Sequence, residues 1–88
     1  MTTIHKKCLP VFFQAVSDGK KKFELRLNDF DIQEGDVLVL DEWDGEKQEY
    51  TGRTIQKNVT FVGKFRIDAL FWTEEEIKEG GLQIISLE

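Results

Sequence analysis

The stretch Gly19-Lys20-Lys21-Lys22-Phe23-Glu24-Leu25-Arg26 decides how this chain is read. Phe23, Leu25 and Leu27 alternate with Lys22, Glu24 and Arg26, the period of a strand with one buried and one solvated face. The same run sets basic, acidic and basic groups around one short turn, spaced Gly-x-Lys-x-x-Glu-x-Arg. On a strand, Glu24 and Arg26 share a face and can pair, while Lys21 leads in from the turn. The arrangement reads either as an ordinary surface ion pair or as the wall of a small pocket for an anion or a nucleobase.

Working outward from that run, the chain ahead of it predicts an extended segment over 4–9 and then a helix. Pro10 suits the first helical position, where its missing N–H costs nothing. Phe12, Phe13, Ala15 and Val16 form the apolar face, and Asp18-Gly19 supplies a left-handed stop. After the run, Asn28 and Asp29 through Gly35-Asp36 form a polar connection of turn residues. Residues 37–40 are apolar on both faces, which predicts a central strand. Asp44-Gly45 signals a hairpin, with the return strand starting near Tyr50 and a further strand over 58–63. Thr73-x-x-Glu76 is a capping box with Gly80-Gly81 as its stop, and 82–87 reads as a last strand. With only two short helices, layered parallel α/β architecture is not expected. The order predicts an α+β fold, a small mixed β-barrel with two peripheral helices.

Eighty-eight residues make one domain, 1–88, with an apolar share of 40% and seven Phe to fill one core. The single Cys8 excludes an intramolecular disulfide and points to a reducing compartment. No apolar run approaches a membrane span and MTTIHKKCLP is no signal peptide, so the chain reads as cytoplasmic. The net charge of −5 argues against broad nucleic-acid binding through phosphate attraction. That charge is uneven: residues 1–26 carry six Lys or Arg against two acids, and the remainder is strongly acidic. His5 and Cys8 fall on opposite faces of an extended segment, and one His with one Cys cannot assemble a zinc site. The acids between Asp41 and Glu49 lack the spacing of a calcium loop. Neither a metal nor a cofactor is expected.

The pattern Gly19, Lys21, Glu24, Arg26 resembles the signature of the ASCH domain, a branch of the PUA-like superfamily. His5 with Lys7, Phe13, Asn28-Asp29, Gly35-Asp36, Leu38, Leu40, Glu42-Trp43 and Tyr50-Thr51-Gly52-Arg53 fit a compact bacterial and phage subgroup. The resemblance implies a PUA-like barrel with a cleft beside the signature strand, and binding of RNA or a modified nucleotide. Related amidohydrolases that act on N4-acetylcytidine look as if they use a Thr where this chain has Glu24, so catalysis is not expected, although Lys21 and Glu24 could handle protons. Phe30 stands where the pattern leads to a basic residue.

The ligand-binding candidates are therefore Lys21, Glu24, Arg26, Asn28, Asp29, Trp43, Tyr50 and Arg53. Trp43 and Tyr50 either stack on bases or pack across the hairpin. Asn28 and Asp29 serve as turn residues or as the rim of a site. Arg53 is a solvated hairpin cation or a ligand contact beside Gly52. Three functions follow as expectations: a binding module for RNA or a modified nucleotide, a nucleoside amidohydrolase, or a protein-interaction module with an acidic hairpin.

Overall fold

Pro10 begins a helix because the chain needs no amide there, and everything before it is free to pair as a strand. In a computed structural model, which describes residues 1–87, the elements are β1 (Thr3–Cys8), α1 (Pro10–Ser17), β2 (Val37–Asp44), β3 (Glu49–Asn58), a 3-10 turn (Ile67–Ala69) and α2 (Glu74–Gly80). They form one mixed sheet in the order β1-β2-β3. β1 runs parallel to β2, from Thr3 against Val37 to Cys8 against Glu42. β3 returns antiparallel to β2, with Leu40 against Ile55 and Trp43 against Tyr50. A parallel pair requires a crossover, and α1 supplies it by packing against β2.

The predicted barrel is corrected by this topology: the three strands leave β1 and β3 as free edges and do not close. Parallel β-α-β layering, which was not expected, makes half of the sheet. The runs 23–27, 58–63 and 82–87 form no strands beyond the last residue of β3. Alternation alone cannot make a strand; each backbone group needs a partner. In the run 20–26, side chains take that role. Lys21 Nζ donates to the Phe23 carbonyl at 2.7 Å and the Lys22 amide donates to Ser86 Oγ at 3.0 Å, while Arg26 Nη2 covers the Lys7 carbonyl on the edge of β1 at 2.7 Å. The alternation also fails to sort burial, since Leu25 and Leu27 are both exposed.

The core lies between α1 and one face of the sheet. Cys8, Phe13, Val16, Leu38 and Leu40 form it, with Ile4, Ile32, Ile55 and Val59 packed at its margin. Phe12 stays half-exposed, so the apolar face of α1 is narrower than its sequence suggests. Asp18 and Gly19 close α1, with Gly19 at φ 75° as a left-handed stop requires.

Two local devices place the sheet. The Asp36 carboxylate accepts the amides of Thr2 and Gln33, each at 2.9 Å, pinning the start of β1 to the start of β2. Those bonds, Thr2 first, hold its pKa below the ordinary carboxylate range. Between Asp41 and Trp43 the β2–β3 register is interrupted. Three β3 residues there oppose Glu42, and Gly52 at φ 94° makes the bulge. The hairpin itself turns through residues 45–48, where Asp44 Oδ1 accepts the amides of Glu46 and Lys47. Its left-handed residue is Gln48 at φ 55°, not Gly45.

Candidate functional site

Glu24 is the centre of the signature run. Its Oε1 accepts from Lys21 Nζ at 2.8 Å and its Oε2 from Arg26 Nε at 3.0 Å. All three side chains are 30% exposed or less, so these are partly desolvated pairs rather than solvated surface contacts. Lys21 also spends a proton on the Phe23 carbonyl and is turned inward. Arg26 reaches the other way, over the edge of β1, to the Lys7 carbonyl. Cys8 is buried nearby. Burial pushes its thiol pKa up, the charge of Glu24 adds to this, and Lys21 and Arg26 oppose it.

The free edge of β1 carries an open cleft of about 380 Å³ lined by His5, Lys6, Lys7, Arg26, Asp41 and Tyr50. Strand alternation sends His5 and Lys7 to the sheet face that α1 does not cover. The parallel register sets Asp41 of β2 opposite Lys7, and its Oδ2 lies 2.9 Å from His5 Nδ1. Lys7 Nζ sits 3.7 Å from the centre of the Trp43 ring and 5.8 Å from that of Tyr50. Those two rings meet edge to face at 4.9 Å. Lys6 points to the opposite face, where its ammonium lies 3.7 Å from the centre of the Phe30 ring. Phe30, at the position where a basic residue was expected, thus holds a cation instead of being one. Two permanent cations, Lys7 and Arg26, and a histidine converge here in an acidic chain.

Of the predicted residues, Arg26 and Tyr50 line this cleft, and Trp43 supports it from beneath Lys7. Lys21 and Glu24 orient Arg26 from behind. Asn28 and Asp29 are exposed at a bend and are not among the lining residues. Arg53 belongs elsewhere. Its Nη1 lies 3.7 Å from the buried carboxylate of Glu42, which also accepts from Thr51 Oγ1 at 2.6 Å. The Arg53 guanidinium packs 4.8 Å from the centre of the Phe13 ring and donates to Gln14. That group ties α1 to the bulge.

His5, Lys6, Lys7 and Asp41 were not among the predicted site residues. The basic excess of residues 1–26 pointed toward them, but their meeting with Asp41 depends on a parallel register that joins positions 36 residues apart. A larger hollow of about 680 Å³ lies between Arg66, Ile67, Asp68, Trp72 and Glu74. Its charged rim is solvated, and Arg66 pairs with Asp68 at 3.4 Å. It offers no uncompensated cluster.

No group of His, Cys, Asp and Glu among the described residues is arranged to hold a metal ion. Among the described residues, no helix is long and apolar enough to cross a membrane.

Residues 4–72 match the model of a family described as Domain of unknown function (DUF3850). All six cleft residues lie within that span. The chain is 33% identical over 78 residues to an uncharacterized 12.9 kDa protein in the GpA 3' region of Escherichia phage P2. The aligned region covers 88% of this chain and 66% of that relative's length. No solved structure matches. The matching family corrects the resemblance to the ASCH domain. The PUA-like fold and the RNA binding that came with that resemblance have no support here.

Proposed function

The chain belongs to the DUF3850 family, and from that premise we propose that it is a small binding module for a phosphate-bearing ligand of nucleotide size, held in the cleft over the edge of β1. The observation that carries this reading is the convergence of Lys7 and Arg26 with the half-exposed ring of Tyr50, in a chain of net charge −5. Local cations can capture an anion while the overall charge repels polyanions. Arg26, its guanidinium fixed by Glu24 and the Lys7 carbonyl, and the Lys7 ammonium, steered by Trp43, bind phosphate oxygens. Tyr50 offers a ring face to a base, a contact contributing about 1–3 kcal/mol in single-strand binders. Asp41 accepts from an exocyclic amine. Both oxygens of Glu24 are engaged by cations, which favours binding over water activation. The unpaired thiol of Cys8 suits a reducing cytoplasm.

Calorimetric titration with a nucleoside monophosphate, the matching nucleoside and inorganic phosphate tests the reading. The monophosphate binds best, and Arg26→Ala weakens it roughly tenfold, as loss of a charged hydrogen bond does. Equal affinity for the nucleoside, or no change in Arg26→Ala, contradicts it.

A further inference from the structure

The carboxylates around the cleft are already engaged: Glu24 has both oxygens on cations, and Asp41 has one on His5. His5 keeps a free base. A carboxylate only accepts, so in the 2.9 Å contact with Asp41 Oδ2 the ring proton belongs to Nδ1. The neutral ring then carries its lone pair on Nε2. Among the described residues no group bonds Nε2, and 62% of the His5 side chain is exposed. Asp41 is the covered partner, at 20%, and fixes both the tautomer and the direction of the ring. His5 and Lys7 stand two residues apart on the same face of β1, about 7 Å along the strand. A phosphate held at Lys7 therefore has the His5 ring as its neighbour, with Arg26 at the rim of the same cleft.

We propose that the cleft hydrolyses a cyclic nucleotide phosphodiester, with His5 as general base and Asp41 as the residue that positions it. The inference rests on the reading of the cleft as a phosphate site. Lys7 and Arg26 match the single negative charge of a phosphodiester and meet the charge that builds on its oxygens. One free base beside two cations suits an ester bond whose departure needs little help from an acid, and a strained five-membered cyclic phosphate provides it. His5 Nε2 takes a proton from water, and the water oxygen bonds to phosphorus as one ester P–O bond breaks. The freed alkoxide takes a proton from solvent, and His5 returns its own to solvent. Nothing is oxidised or reduced, and the product is a nucleoside monophosphate, the ligand already assigned to the cleft.

Phosphorus NMR of the whole chain with 2′,3′-cyclic uridine monophosphate tests this, since uracil has no exocyclic amine for Asp41 to accept. The cyclic phosphate signal is expected to give way to that of a monoester. His5→Gln, at an exposed position clear of the core, lowers kcat roughly a hundredfold and changes KM by no more than a few-fold. Asp41→Asn lowers kcat in the same way, because the ring is no longer held with its proton on Nδ1. Calorimetry with uridine monophosphate on the same preparations separates the two readings. Binding of the monophosphate without hydrolysis of the cyclic ester overturns the proposal and leaves the phosphate site standing. Hydrolysis undiminished in His5→Gln, or a loss in Asp41→Asn that falls on KM alone, also overturns it. Neither binding nor hydrolysis overturns both readings together.

Discussion

At the scale of single residues, Glu24 decides more than its neighbours. It is one carboxylate between two cations, so replacing it leaves Lys21 and Arg26 partly buried and uncompensated. Glu24→Gln is therefore expected to cost roughly 1–3 kcal/mol in urea unfolding, and to weaken phosphate binding because Arg26 loses its brace. Glu24→Asp, which keeps the charge, recovers part of both. Cys8 gives the complementary case of a group hidden from solvent. Its thiol is buried and its pKa raised, so the thiolate fraction at neutral pH is smaller than for a free thiol. Reaction with a disulfide reagent at pH 8 is expected to be slow in the folded chain and fast in urea; equal rates would place Cys8 at the surface.

At the scale of elements, the legible parts were those whose signals are local. Pro10 at the helix start, the Asp18-Gly19 stop and the Thr73–Glu76 capping box each need only neighbouring residues, and each forms as read. The alternation of 22–27 is equally local as a pattern, but a strand is not a local object. Its amides and carbonyls need a second chain segment, and the side chains of Lys21 and Arg26 reach two of the available carbonyls first. The bulge at Gly52 is not legible in the sequence for a related reason: it rests on a register that sets three residues opposite Glu42. A Cβ at Gly52 would meet nothing within 4 Å. The cost of Gly52→Ala is thus conformational, about 1–2 kcal/mol, and should appear as a lower urea midpoint with the fold unchanged.

Asp36 sets an acid limit on the junction of β1 and β2. Its folded pKa lies below the unfolded one, so its contribution is complete above the ordinary carboxylate range. It is lost as pH falls through the depressed folded value. Asp36→Asn should remove part of the acid sensitivity of unfolding below about pH 4. An unchanged acid profile would assign that sensitivity to other carboxylates, among which Glu76 is also depressed by the Thr73 amide and hydroxyl.

At the scale of the whole molecule, the cleft exists because β1 is both parallel to β2 and an edge. The parallel register brings His5 to Asp41, and the open edge lets Arg26 fold over to the Lys7 carbonyl. Neither fact is carried by residues close in sequence. The sequence therefore pointed to Arg26, Trp43 and Tyr50 but not to the histidine, lysines and aspartate that complete the cleft. It also suggested a closed barrel, because runs of strand period were assumed to find partners. Arg53, read either as a solvated hairpin cation or as a ligand contact, joins α1 to the bulge through Gln14 and Glu42.

The cleft's role as a phosphate site is tested most directly by an amide chemical-shift titration of isotopically labelled protein with a nucleoside monophosphate. Saturable shifts are expected at His5, Lys6, Lys7, Arg26, Asp41 and Tyr50, weakened at high salt and lost in Arg26→Ala. Shifts confined to the hollow around Arg66 and Trp72, or no shifts at millimolar ligand, would contradict it.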